Sequence, residues 1–512
     1  MGVAWVLFQF CLLVALLIGL ARALFPVPVL PGRTESRALP PVTGGPIVAA
    51  LCPPASVAPG LTGIRPMPNG ADAFAARLML ADAAVSSIDV QYYIWYGDLT
   101  GFLLLDALKR AAERGVRVRL LLDDNGTAGL DRELAALDAH PNAEVRLYNP
   151  FNLRRVKPLC YGFDFFRLNR RMHNKSFTVD GVATILGGRN IGDRYFETCP
   201  EALFIDLDVL AAGAIVPEVS ADFDRYWACR SAHPASDILR RPKQADPIAA
   251  GLSRFCALPA WTEFRALVEA SPISAALRGG DLALQWTKAV LVSDDPIKGQ
   301  GAVPRQDLLA TRLRQAVGQI EHRLDVVSPY LVPGKAGVRA FATLTAQGIA
   351  VRALTNAIDA TDVVAVHAGY AKRRRAMLRA GMTLFEVHAR AEAHPQRRRR
   401  GRFRRAKASL HAKTFAVDGK RVFVGSFNFD PRSTTLNTEM GILIDSPQMA
   451  EALHTTFDSG LAGLAWKVAL KGRRKIWIDM ASGVIRTKEP GLTAPRRLVV
   501  AVVGWLPVEW LM

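Results

Sequence analysis

The sequence predicts an α/β protein built from two copies of one unit, and three observations carry that prediction. A ten-residue stretch, M-H-N-K-S-F-T-V-D-G over Met172–Gly181, recurs as L-H-A-K-T-F-A-V-D-G over Leu410–Gly419. In both copies six residues separate the Asp from a small pair and an Asn. The shared pattern is His-x-Lys-x4-Asp-x6-Gly-[Gly/Ser]-x-Asn, twice, 238 residues apart. Ahead of each copy, stretches of strand character alternate with helical ones in the same order, which argues for α/β units with largely parallel sheets. Finally, 512 residues, half of them hydrophobic, suffice for two domains of ordinary size.

Taken in order, Val3–Ala21 is an apolar run broken by one Gln and long enough to span a bilayer. A cleaved signal peptide is the rival reading, because Ala21-Arg22-Ala23 resembles a cleavage site. The first ten residues hold no Lys or Arg, which favours a retained anchor. Arg22, Arg33 and Arg37 follow, and the positive-inside tendency places that side in the cytoplasm. Residues 1–24 thus read as anchor or signal segment, and 25–60, rich in Pro and Gly, as a linker. In the first repeat, 61–255, helices over Asp72–Val85, Gly101–Arg114 and Asp131–His140 alternate with strands over Ser87–Tyr96, Val116–Asp123 and Glu144–Tyr148. The second, 256–470, has helices over Gln306–His322, Lys335–Gln347 and up to about Ala380. Its strands are Leu324–Ser328, Ile349–Leu354 and Thr383–Val387. Residues 471–512 are basic, then apolar. Leu498–Met512 is too short for a span; Trp505 and Trp510 suit a membrane interface, and a segment packed on the core is the equal alternative.

The motif spacing has a physical meaning. On a strand, side chains two apart share a face, so His173 and Lys175 point one way together, as do His411 and Lys413. Asp180 and Asp418 fall at an odd offset, in an Asp-Gly turn, and read as structural: they shape a hairpin and pair with nearby cations. The return strands bring the small pair, with Asn190 and Asn428, back beside the His, where small residues let a backbone or a phosphate approach closely. Downstream of each motif lies a carboxylate suited to orient an imidazole: Asp206, with Asp208 on the same face, and Glu439.

Charge points to an anionic partner. The formal balance is +19, and Arg supplies fifty of the sixty-five cations, which suits a membrane surface or nucleic acid. A basic run precedes each motif. The first includes Arg154, Arg155, Arg170 and Arg171; the second is Arg397–Lys407, with Arg404, Arg405 and Lys407 nearest the motif. Each reads either as a solvated loop or as a clamp on phosphate and lipid. The six cysteines show no regular spacing, so neither a zinc site nor a disulfide framework is indicated. No cofactor and no metal is expected.

The duplicated pattern resembles the phospholipase D superfamily, and R-L-N-R-R-M-H-N-K-S-F-T-V-D, G-G-R-N-I-G-D-R-Y-F, D-L-D-V-L-A-A-G and T-D-V-V-A-V-H-A-G-Y-A resemble its bacterial cardiolipin synthase branch. The first copy departs in carrying Gly-Gly where Gly-Ser is usual. The resemblance implies two phospholipase D-like α/β/α sandwich repeats related by a pseudo-twofold axis, with the active site at their interface. It also implies metal-independent phosphatidyl transfer through a covalent phosphohistidine at a bacterial inner membrane, giving cardiolipin from phosphatidylglycerol and a second phospholipid. The arginines after the apolar run place the catalytic part on the cytoplasmic side, with the periplasmic side as the alternative. His173 would be the nucleophile and His411 the general acid. Lys175, Lys413, Asn190 and Asn428 would hold the phosphoryl oxygens. The residues alone leave the order of the two His open. They also leave open a hydrolase releasing phosphatidic acid, a nuclease, and a non-catalytic membrane scaffold. The anchor favours lipid over nucleic acid as partner; oligomeric state is unread.

Overall fold

The computed structural model describes every residue except 1, 28–34, 52, 55, 197, 199–201, 241–245, 281 and 390–406. It begins with the apolar helix Gly2–Leu24, which buries none of its residues. Only its inner end touches the body: Ile18 and Ala21 pack against Phe151, Cys160, Phe163 and Leu168. Arg22 Nε donates to the Phe163 carbonyl at 2.7 Å. Part of the expected linker is laid down on the first repeat. Ile47 and Leu51 enter its core, and Val42 N donates to the Asp180 carbonyl at 3.0 Å.

Two sheets follow, one per repeat. The first has nine strands in the order Gln285–Thr287, Thr62–Met67, Asp208–Gly213, Ala183–Gly187, Ser176–Val179, Ser87–Ile94, Arg117–Gly126, Ala143–Tyr148, Ala232–Pro234. The second has ten, from Ala289–Ser293 at one edge to Ile485–Arg486 at the other. The sheets are mixed, which corrects the expectation of largely parallel ones. Parallel pairing is confined to Ser87–Ile94, Arg117–Gly126 and Ala143–Tyr148 in the first sheet, and to Arg323–Val327, Ala350–Asn356 and Thr383–Val387 in the second. Helical crossovers make those trios parallel. The motif hairpins insert antiparallel strands beside them, because a short turn can only return the chain.

The boundary between repeats also moves. Helices Pro247–Cys256, Pro259–Glu269 and Pro272–Gly279 pack on the first repeat through Ile248, Phe264 and Ile273. Gln285–Thr287 then pairs with Thr62–Met67, so the division falls at Lys288 rather than at 255/256. At the far end, Arg474–Asp479 and Ile485–Arg486 complete the second sheet, so much of the basic tail belongs to that domain.

The repeats are locked by exchanged segments. Ala202–Ile205 pairs in parallel with Lys407–Leu410, and Met172 bridges Thr438 in the same sense. His411 N donates to the Ile205 carbonyl at 2.8 Å and His173 N to the Thr438 carbonyl at 2.9 Å. Each approach to a motif His is thus paired with the approach to the other repeat's carboxylate, the relation a pseudo-twofold axis generates. Leu186 and Val209 meet Val424 and Ile442 in an apolar core between the two sheets.

Candidate active site

The site is assembled from the two hairpins. Ser176–Val179 pairs with Ala183–Gly187 and Thr414–Val417 with Arg421–Gly425. Both turns carry positive φ at Asp and Gly: 55° and 67° at Asp180-Gly181, 53° and 67° at Asp418-Gly419. Asp tolerates that region because its short polar side chain bonds locally. Here the carboxylates pair with backbone amides, not with cations as the sequence suggested. Asp180 accepts from Val85, Ser86 and Ser87 N at 3.0, 2.7 and 2.9 Å. Asp418 accepts from Glu321, His322 and Arg323 N at 2.9, 2.8 and 2.8 Å. Each therefore clasps the hairpin to the start of the neighbouring strand.

The carboxylates downstream of the motifs cross the interface. Glu439 Oε2 lies 2.8 Å from His173 Nδ1, and Asp206 Oδ2 lies 2.5 Å from His411 Nδ1. Each His is held by the opposite repeat, so neither half has a complete site alone. Asp208 holds neither imidazole: it pairs with Arg77 at 2.8 Å. Because a carboxylate only accepts, Nδ1 carries the proton in the neutral rings and Nε2 presents a lone pair. Burial, opposed by Glu439, lowers the His173 pKa to about 4. Burial, aided by the Lys413 charge, also lowers that of His411. Lys175 falls to about 7, through burial and then the partial offset of Glu439 against Lys413. Burial pushes Asp206 up, but the charges of His411 and Lys413 outweigh it and hold the carboxyl well below its usual range. Lys175 and His173 of the first motif both register the charge of Lys413 in the second, which places the two motifs in one electrostatic neighbourhood.

The two halves differ in detail. Glu439 Oε1 accepts from Ser433 Oγ at 2.7 Å and Oε2 from Ser426 Oγ at 2.5 Å. Its amide donates to Asp294, which Lys298 neutralises at 2.7 Å. In the first motif Gly188 stands where Ser426 stands in the second. A Cβ there would lie 2.1 Å from Asp206 Oδ1. The missing Ser is thus a steric condition for the crossed Asp206, whose Oδ1 accepts from Leu207 N at 2.8 Å instead. Asn190 is engaged, accepting from Ile94 N at 3.1 Å and donating to Tyr195 Oη at 3.1 Å. The Asn428 Oδ1 is buried with no partner. The ring of Tyr93 packs edge-on to His173 at 5.0 Å. Tyr195 and Phe204 wall His411 at 5.1 and 4.9 Å.

The first basic run is not a free clamp. Arg171 is buried against Asp123, Nε donating at 2.8 Å. Arg154 bonds Asp124 and Asp131. Arg170 donates to the carbonyls of Lys298 and Thr435 at 2.9 and 3.2 Å. Buried guanidinium charge demands such partners. Arg155 alone is exposed. Arg404 and Arg405 lie outside the described residues; Lys407 opens the strand Lys407–Leu410, and its side chain lies outside them too. Among the described residues no group of three His, Cys, Asp or Glu could hold a metal ion. Sequence reasoning missed Ser433, Asp294, Lys298 and the aromatic walls. Only Ser433 had a local signal, the Asp-Pro-Arg-Ser helix start that Asp430 caps.

Comparison with known proteins agrees with this geometry. The family described as cardiolipin synthase, PLD-like domain, matches residues 78–227 and 312–461. Cardiolipin synthase C of Escherichia coli is 47% identical over 91% of this chain and 99% of its own length. The major cardiolipin synthase of Bacillus subtilis is 25% identical over 82% of this chain and 74% of its own. Among solved structures, phosphatidylserine synthase of Haemophilus influenzae superimposes with a TM-score of 0.57 at 15% identity, covering 88% of this chain and 95% of its own, which speaks for the fold. The chain belongs to the cardiolipin synthase-type family of phospholipase D-like enzymes. Its two family repeats are the two sheets, and its chemistry is that of a phosphatidyltransferase.

Proposed function

We propose that this enzyme makes cardiolipin, passing a phosphatidyl group from one phospholipid to a hydroxyl of phosphatidylglycerol. The observation that carries the reading is the crossed pairing of His173 with Glu439 and His411 with Asp206. It supplies two imidazoles of fixed tautomer, each held from across the repeat interface, in a chain 47% identical to a cardiolipin synthase.

In the first step His173 Nε2 attacks phosphorus and the bond to the headgroup oxygen breaks. Protonated His411 gives its proton to that oxygen, which leaves as an alcohol. Arrival of the anionic phosphate offsets the Lys413 charge and raises the proton affinity of His411. In the second step neutral His411 takes the proton of the incoming hydroxyl, its oxygen attacks phosphorus, and the P–N bond breaks to restore His173. Lys175, Lys413 and the Asn428 amide stabilise the equatorial oxygens. The Gly2–Leu24 helix, with mean hydropathy 2.6, anchors the enzyme in the bacterial inner membrane, catalytic part on the cytoplasmic side.

The test is incubation of the purified protein with labelled phosphatidylglycerol, with and without phosphatidylethanolamine, and mass analysis of the products. Cardiolipin formation lost in His173→Ala is expected. Phosphatidic acid alone would make the enzyme a hydrolase, and DNA cleavage without lipid product a nuclease.

A further inference from the structure

The tail helix Ala494–Trp505 is packed the wrong way round for a protein surrounded only by water. It leans on the helix Val364–Arg379, and none of its residues is buried. Leu498, Val499, Val502, Trp505 and Leu506 are 66, 41, 50, 85 and 36% exposed. Their spacing places them on one face, and that face points out. Arg497, also exposed, stands at its start, and Trp510 beyond it is 48% exposed. Twelve residues rise about 18 Å, short of the roughly 30 Å of a hydrocarbon core.

Its position relative to the anchor is set by a short chain of contacts. The N-terminal helix is fixed to Tyr161–Leu168 through Phe163. The next residue, Asn169, accepts from Arg432 Nη1 at 2.9 Å, and the same Nη1 donates to the Leu511 carbonyl at 3.1 Å. Arg432 N donates to the Met512 carbonyl at 2.9 Å. Anchor and tail are therefore tied to one segment, which shows Phe166 at 74% exposure, with Leu159 and Val156 just ahead of it at 62 and 48%. Arg432 sits in the helix Pro431–Thr435, between Asn428 and the Ser433 that holds Glu439.

We propose that Ala494–Trp505 lies flat in the bilayer surface that Gly2–Leu24 enters, forming with Phe166 and Leu159 a membrane-seated rim beside the active site. The occupant of the exposed face is an anionic phospholipid surface, which the Trp side chains and the flanking arginine fit. The inference rests on the reading of the protein as a membrane phosphatidyltransferase and adds where and through which residues it meets lipid.

The experiment uses the full chain in nanodiscs containing phosphatidylglycerol. The emission lost in a Trp505→Phe/Trp510→Phe variant isolates those two rings. Lipids brominated near the headgroup are expected to quench most of that difference; equal emission in brominated and ordinary discs overturns the seat. In a second arm, Leu498→Gln, Val502→Gln and Trp505→Gln are combined, all at exposed positions that folding does not need. Turnover of bilayer lipid is expected to fall about tenfold, with a monomeric short-chain donor unaffected, since buried apolar area sets surface affinity. No loss on bilayers, or equal loss on both substrates, overturns the proposal. So does a parent that is dimeric in detergent, becomes monomeric in the triple variant and shows no quenching, because the face then covers a second copy. If the parent converts neither lipid, the functional reading fails while the quenching arm still decides the seat.

Discussion

The two halves of the site use the same groups with different builds. On the His173 side the carboxylate is long: Glu439 reaches across the interface and takes bonds from His173, Ser426 and Ser433. Asp294 and Lys298 brace it from behind. On the His411 side it is short. Asp206 takes His411 and its neighbour's amide, and occupies the room a serine would need. The dominant neighbour differs too. After burial, His173 feels Glu439 first, whereas His411 feels Lys413 first, with Lys413 Nζ 2.9 Å from its Nδ1. A braced carboxylate fixes a ring's tautomer and aim, while burial keeps that ring neutral. A ring beside a cation is one whose proton affinity responds when an anion arrives. Duplicated halves have thus become unequal by second-order choices around identical His and Lys.

The largest effect is expected where the halves are separated outright. His173→Ala removes the proposed nucleophile, so no phosphoenzyme is expected to form from any donor. His411→Ala removes only the proposed proton donor. It is expected to slow turnover of natural lipids by about 10²–10⁴-fold and to spare phosphoenzyme formation from a p-nitrophenyl ester. Trapping with radiolabelled donor reads both, and the opposite pattern would exchange the roles.

Next in size come substitutions that swap the builds. Gly188→Ser puts a Cβ into Asp206 Oδ1, so Asp206 must leave His411; activity is expected to fall about a hundredfold or more, close to Asp206→Asn. Ser426→Gly removes one bond of several to Glu439 and is expected to cost about tenfold, the worth of one charge-assisted hydrogen bond. Steady-state kinetics with circular dichroism as a folding control decide it. Equal losses would mean that the two carboxylates are interchangeable after all.

How much of this was legible beforehand follows from the same asymmetry. Motif repetition, strand faces and the Asp-Gly turns are local, and local chemistry was enough to read the hairpins. Helices and strands landed within a few residues of their expected places, as with Thr383–Val387. Partners across the interface were not legible. Glu439 lies 28 residues beyond His411 and Asp206 lies 33 beyond His173, a spacing that does not say which imidazole each holds, and only the exchanged segments show the crossing. Arg154 and Arg171 misled for a related reason. Their partners, Asp131 and Asp123, stand 23 and 48 residues upstream. The role of Gly188 was legible only as a departure from the pattern; its reason is steric and needed coordinates.

A smaller, graded effect is expected from pH. His173 must be neutral to attack, and its pKa of about 4 keeps it so over most of the range. Lys175 must be charged to receive phosphate, and its free-enzyme pKa is about 7. The kcat/KM profile is therefore expected to fall on the acid side near 4, and on the alkaline side in two stages: first as His411, lowered from its ordinary value, loses the proton it must donate, then as Lys175 loses its charge near 7. In kcat the alkaline limb is expected to move upward, because bound phosphate favours charged Lys175. The same His173 shift bears on stability. Its folded pKa is depressed, so the unfolded chain binds the extra proton first, and stability is lost as pH falls from about 6.5 toward 4. A matching pH profile in Lys175→Arg would break the assignment.

The smallest effect on chemistry is expected where the halves are most alike, at the turns. Asp180 and Asp418 each accept three backbone amides, yet Asp180 is buried and Asp418 only partly so. Replacement by Asn keeps the shape and the tolerance for positive φ but removes the charge that strengthens those bonds. In a buried setting the weakened bonds have no water to turn to. Asp180→Asn is expected to cost about 2–3 kcal/mol and Asp418→Asn about 1. Activity per folded molecule should stay within about threefold in both, since neither side chain touches a His or Lys of the site. Denaturant unfolding, with activity normalised to the folded fraction, measures the two together. A well-folded Asp180→Asn enzyme without activity would show that the clasp sets the position of His173 itself, and would move Asp180 from the scaffold into the mechanism.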